Sequence, residues 1–166
     1  MKDNKTVVAV SGGFDPIHIG HLRLMQDARE QGDYLIVFLN TDDFLEAKKG
    51  KAFMSFAERK ELIEGFACVD EVVATIDPVV SGPPYQTQCE TLRHYRPDIF
   101  ANGGDRKFDN IPEYQVCEEL GIDMVFNMGE GGKVQSSSDL VRDYHDFLQD
   151  NHKAEIHIQA DQKYGV

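Results

Sequence analysis

Tryptophan is absent from this 166-residue chain, cysteine is scarce, and cations are outnumbered. The three cysteines, Cys68, Cys89 and Cys117, lie far apart and form no CxxC pair. An odd number without metal-ligand spacing argues against a disulfide framework or zinc site, and for reduced, mostly buried thiols in a cytoplasmic protein. Seventeen Lys and Arg against 29 Asp and Glu leave a net charge of −12. A surface that acidic repels nucleic-acid backbones and anionic lipid, so neither a nucleic acid nor a membrane is an expected partner. Any polyanionic ligand must then find a local basic pocket. No apolar run approaches the ~20 residues that span a bilayer, and the N-terminal MKDNK lacks the apolar stretch of a signal peptide.

What is present is one domain's worth of chain, alternating between two hydrophobic patterns. Continuous apolar runs occur at 6–11 (TVVAVS), 34–39 (YLIVFL), 71–76 (EVVATI), 98–101 (DIFA) and 123–126 (DMVF). Between them lie amphipathic stretches. From His18 to Gln31, Ile19, Leu22, Leu24, Met25 and Ala28 recur at helical spacing, and Gly32 ends the pattern. Ser55 with Glu58 three residues on is a capping box, followed by the apolar face of Leu62, Ile63 and Phe66. A further helix is expected over 86–95, another between Asn110–Pro112 and Gly121, and a last one from the serines at 136–138 to about Gln149. Strands that are apolar on both faces and alternate with helices predict a doubly wound, Rossmann-like five-stranded parallel sheet, α/β in class. We expect a single domain over residues 1–150 and a mostly polar tail over 151–166, broken by the alternating AEIHIQ.

Such a sheet binds ligands outside the carboxyl ends of its strands, and three clusters fall there. The first is GGFDPIHIGH, from Gly12 to His21, between the first strand and the first helix. Gly12, Gly13 and Gly20 allow close backbone approach, and a helix N-terminus offers N–H groups and a partial positive charge. His18 and His21, three apart, share one face of the first turn. Two imidazoles there suit a triphosphate. A lone histidine is more often a surface or satisfied core residue, and a pair could ligate a metal, but metalloprotease histidines are spaced four apart with an adjoining Glu. The glycine spacing matches neither GxGxxG nor the P-loop. The second cluster is Lys48-Lys49-Gly50-Lys51 with Arg59, informative in so acidic a chain although most charge runs are solvated loops. The third joins Asn102-Gly103-Gly104-Asp105 to GEGGKVQSSS, whose Ser136, Ser137 and Ser138 can cap a helix or hold phosphate oxygens. His94, His145, His152 and His157 lie on polar stretches and are expected to be exposed.

On these residues the chain resembles the cytidylyltransferase-like nucleotidyltransferases, and within them the glycerol-3-phosphate cytidylyltransferase and heptose-1-phosphate adenylyltransferase branches. FDPIHIGH matches their FDxxHxGH signature, and the segments from Asn40, Cys68 and Arg96 follow the family over roughly residues 6–148. The resemblance implies in-line attack by a small phosphorylated acceptor on the α-phosphorus of CTP or ATP, releasing pyrophosphate. It implies His18, His21, Lys48 and Arg59 as catalytic, with Lys51 a weaker candidate. Gly12, Gly13, Phe14, Asp15 and Gly20 then belong to the nucleotide loop, Gly104 and Asp105 meet the nucleoside, and Ser136, Ser137 and Ser138 meet the phosphates. Mg²⁺ is implied, with Asp15 near enough to be suspected as a ligand, and so is a homodimer. The loop from Asp77 to Tyr85 would help shape the acceptor side.

Departures from the pattern bear on the base. The cytidylyltransferase branch has Arg where Ala67 precedes CVDEVV, and RTEGIST where this chain has GGKVQSSS. Asn102-Gly103-Gly104-Asp105 is nearer the KGGD of the adenylyltransferases, so CTP and ATP both stay open. A non-catalytic nucleotide-binding module of the same fold is the alternative, as is a flavodoxin-like binder, which leaves the histidine pair unexplained.

Overall fold

The computed structural model describes residues 4–104, 111–129 and 135–151. Its elements run β1 (Val7–Gly12), α1 (Ile19–Arg29), β2 (Tyr34–Leu39), α2 (Asp42–Lys49), α3 (Phe56–Glu64), β3 (Glu71–Ala74), α4 (Cys89–Tyr95), β4 (Ile99–Gly103), α5 (Glu113–Leu120), β5 (Asp123–Met128) and α6 (Ser137–Asn151). The five strands form one parallel sheet in the order β3-β2-β1-β4-β5. The direction of winding reverses between β1 and β4, so the carboxyl end of β1 stands at the switch point where such sheets bind ligands. This is the expected doubly wound fold.

The strands read as continuous apolar runs because each is covered twice. Val8, Val10, Leu35, Val37 and Leu39 point to one face and pack with Met25 and Ala28 of α1 and Ile63 of α3. Ala9, Ile36, Phe38 and Phe100 point to the other, against Leu92 of α4 and Val116 and Cys117 of α5. No helix among the described residues is long and apolar enough to cross a membrane.

Elements α2, α4, β4 and β5 differ from their sequence expectation. The lysine run is no loop, since Lys48 and Lys49 form the last turn of α2, which Thr41 caps and Gly50 ends at φ +86°. A left-handed residue after the last turn is a standard helix stop. Helix α4 begins at Cys89 rather than 86, because Gln86 and Gln88 are drawn into buried side-chain bonds. Gln86 Nε2 donates to the Asp77 carbonyl and Gln88 Oε1 accepts from Thr75 Oγ1. Strands β4 and β5 run two residues further than their apolar runs, through Asn102-Gly103 and Asn127-Met128.

Cys117 is buried, whereas Cys68 and Cys89 are only partly so, and all three are free thiols. Burial pushes each thiol up, Cys117 to about 12. His94 and His145 are exposed as expected, while His152 and His157 lie outside the described residues.

Candidate active site

A cleft of about 590 Å³ opens over the carboxyl ends of β1, β2, β4 and β5. It collects the sequence-predicted Gly12, Gly13, Phe14, Asp15, His18, Gly20, His21, Lys48, Gly104, Ser136, Ser137 and Ser138 into one wall-and-floor arrangement. Asp105 lies outside the described residues. Lys51 is exposed and does not line the cleft.

The two histidines begin α1 as a reciprocal cap. His18 Nδ1 accepts from Gly20 N at 3.1 Å, and His21 Nδ1 accepts from His18 N at 3.3 Å. The rings stack with centroids 3.6 Å apart and planes 22° from parallel. Accepting a backbone N–H requires an unprotonated Nδ1, so each neutral ring carries its proton on Nε2. Burial, together with the nearby charges of His18 and Lys49, depresses His21 to about 3. His18 is also lowered by burial. At neutral pH the pair therefore presents two fixed Nε2–H donors. The cap also changes how the helix terminus works, because the imidazoles themselves occupy the amides of His18 and Gly20.

Gly12 and Gly20 are glycines for steric reasons. A side chain at Gly12 would meet the Phe14 ring at 2.9 Å, and one at Gly20 would meet the His18 ring at 3.0 Å. Phe14, at φ +50°, turns under the loop and abuts His21 edge-on at 4.9 Å between centroids.

Asp15 is buried, and both carboxylate oxygens are in use. Phe53 N donates to Oδ2 at 2.8 Å and Met54 N to Oδ1 at 2.7 Å. Its role here is to tie the histidine loop to the segment between α2 and α3. Among the described residues no group of three or more His, Cys, Asp or Glu is placed to hold a metal ion. These residues form no all-protein cage for a metal ion, and both Asp15 oxygens already accept backbone N–H groups.

Arg59, which the resemblance implies as catalytic, lies behind the cleft wall. It is 0% exposed and does not line the cleft. Its Nη1 donates to the carbonyls of Gly13 and Asn40, both at 2.8 Å. Nε donates to Met54 O at 3.1 Å and Nη2 to Asp42 Oδ1 at 2.6 Å. With four of its five N–H donors on protein oxygens, Arg59 braces the loop from beneath.

Among the described residues, the lysines that line the cleft are Lys48 and Lys49. Lys49, part of the basic cluster but given no role by the resemblance, donates to the Asp15 carbonyl at 2.8 Å. Lys48 sits 5.5 Å from the Phe44 ring centroid. Asn40, also missed, lines the cleft while its Nδ2 donates to Gln86 Oε1 at 2.8 Å. That bond joins the floor of the cleft to the loop that follows Asp77. On the far side, Ser136 Oγ accepts from Asp139 N and so caps α6, and Ser137 Oγ donates to Pro16 O at 2.8 Å. The Ser137 hydroxyl therefore fastens the two loops together.

A family model described as cytidylyltransferase-like matches residues 9–130, the span from β1 to just past β5. The chain belongs to the cytidylyltransferase-like family. Among proteins similar to this family member, bifunctional protein HldE of Streptomyces coelicolor is 36% identical over 121 residues, 72% of this chain and 24% of that protein. FAD synthase of Thermococcus sibiricus is 36% identical over 111 residues, 66% of this chain and 70% of that protein. The chain thus spans about a quarter of the bifunctional relatives and most of the FAD synthases. A solved lipopolysaccharide core biosynthesis protein from Thermoplasma volcanium shares the fold, with a TM-score of 0.61 at 24% identity, covering 76% of this chain and 99% of that one.

Proposed function

We propose that this cytidylyltransferase-like protein transfers the adenylyl group of ATP to a small acceptor that carries its own phosphate. The observation that supports this most is the reciprocal imidazole cap, which sets two neutral N–H donors beside Lys48 and Lys49. An acceptor phosphate oxygen attacks the α-phosphorus in line, forming one P–O bond as the bond to the β-phosphate bridging oxygen breaks. Pyrophosphate leaves with that electron pair. The attacking oxygen is already anionic, so no general base is needed, and a histidine held at about 3 would be a poor one. Catalysis is then positioning and stabilisation of charge on the phosphoryl oxygens. His18 and His21 donate to those oxygens, while Lys48 and Lys49 offset the charge of the phosphates. Mg²⁺ enters as part of the magnesium–nucleotide substrate.

ATP is favoured over CTP by the name of the FAD synthase relatives, whose product contains an adenylyl group. The cleft wall formed by Leu24, Met128, Gly103, Gly104 and Gly129 leaves room for a flat base. Calorimetric titration with ATP, CTP, GTP and UTP, each with Mg²⁺, tests the reading. Selective binding of ATP is expected. Selective binding of CTP would shift the assignment to cytidylyl transfer, and binding of none would overturn it. A homodimer, the partner state implied by the family resemblance, is checked by sedimentation of the same sample.

A further inference from the structure

One face of α1 carries a stripe that starts in the cleft and ends at Asp27, a residue the proposed chemistry does not use. Gly20, Leu24 and Asp27 stand at i, i+4 and i+7, so they lie above one another on the helix surface. The chain leaving β5 and the chain entering α6 both come down on that stripe. Gly129, at φ +87°, lies so close that a side chain there would meet Leu24 N at 3.4 Å and Gly20 O at 3.8 Å. A side chain at Gly20 would in turn meet Gln135 N at 3.7 Å. At the far end of the stripe, Gly129 N donates to Asp27 Oδ2 at 2.7 Å, across 102 residues of sequence.

We propose that Asp27 is a positioning residue for the nucleotide, whose carboxylate clasps Gly129 and thereby sets the wall of Met128, Gly129 and Ser136–Ser138 against the histidine helix. The inference rests on the functional reading above, because that wall is the one assigned to the nucleotide. Asp27 lies more than two turns from His18 on the same helix, so the clasp ties the wall to the element that carries the two N–H donors. A second fastening among the described residues, Ser137 Oγ to Pro16 O, acts at the opposite end of the segment. A charge-assisted bond to a backbone N–H, once lost, is of a size to change an affinity about tenfold.

The test compares Asp27→Ala, which removes the acceptor, with Asp27→Asn, which keeps an oxygen able to accept from Gly129 N. Alanine is a good helix former, so α1 persists in the first variant. MgATP affinity is measured by calorimetry and the Gly129 amide is followed by hydrogen exchange. We expect Asp27→Ala to bind MgATP about tenfold more weakly with faster exchange at Gly129. Asp27→Asn should stay within about threefold of the parent on both readouts, a rescue that a general loss of stability would not produce. Parent-like affinity in Asp27→Ala, or equal weakening in Asp27→Asn, overturns the proposal. Failure of the parent protein to bind any nucleoside triphosphate overturns the functional reading, and the exchange measurement still decides whether the clasp exists.

Discussion

On one side of the cleft, the loop from Gly12 to His21 rests on buried charge. Asp15 closes both its oxygens on Phe53 and Met54, and Arg59 reaches Gly13, Asn40, Met54 and Asp42 at once. On the other side, the β5–α6 wall is fastened at its described ends by two single bonds, Gly129 to Asp27 and Ser137 to Pro16. In the proposed reaction the groups that meet developing charge stand on the heavily braced wall, where preorganised donors need not reorganise. The other wall, with fewer fastenings among its described residues, is the one proposed to meet the nucleotide.

The largest expected effect breaks the comparison at its catalytic end. Substituting His21→Ala should lower turnover by roughly 10²- to 10⁴-fold with the fold intact, the scale of losing a preorganised donor. Unchanged turnover in the folded variant would remove His21 from the mechanism. The same residue makes stability depend on acid. Folded His21 titrates at about 3, against about 6.5 in the unfolded chain, so the unfolded chain binds more protons between those values. Stability therefore falls as pH drops through that window, by up to about 1.4 kcal/mol per pH unit. Urea midpoints taken from pH 7 to pH 4 should fall less steeply in His21→Gln, and parallel curves would contradict this.

Next comes the brace itself. Arg59→Ala leaves Asp42 and three carbonyls without their donor, and a cost of about 3–5 kcal/mol is expected by urea unfolding. If Arg59 met the triphosphate directly, the variant would keep its stability and lose only affinity. Asp15→Asn is smaller, about 1–3 kcal/mol, because one backbone N–H then faces an amide donor. Its Mg²⁺ dependence of nucleotide binding should match the parent's, whereas a metal-ligand role would change it. Smallest is Ser137→Ala, near 1 kcal/mol in stability from one neutral hydrogen bond. A loss as large as that of Arg59→Ala would mean the two walls are braced alike.

Much of this was legible in the residues. The five apolar runs and the spacing of His18 and His21 led to the sheet and to the cleft over β1. What escaped was mostly long-range. Arg59 looks the same in sequence whether it grips phosphate or lies buried, because the oxygens that claim it come from Gly13, Asn40, Asp42 and Met54. Lys49 could not be separated from Lys48 and Lys51 without knowing that α2 carries the run. That helix was hidden by its length of eight residues and by a pattern in which only Phe44 and Leu45 are buried. Asp27 resembles any polar residue on a helix surface until Gly129 is placed beside it.

Helix α6 starts in the cleft at Ser137, and every residue from 140 to 150 is exposed. Fifteen residues make a rod about 22 Å long. A tilt of about 10° at the serines would sweep its far end through about 4 Å. A fluorophore near residue 149 would turn a rearrangement of the phosphate site, too small to see directly, into a displacement large enough to read by energy transfer.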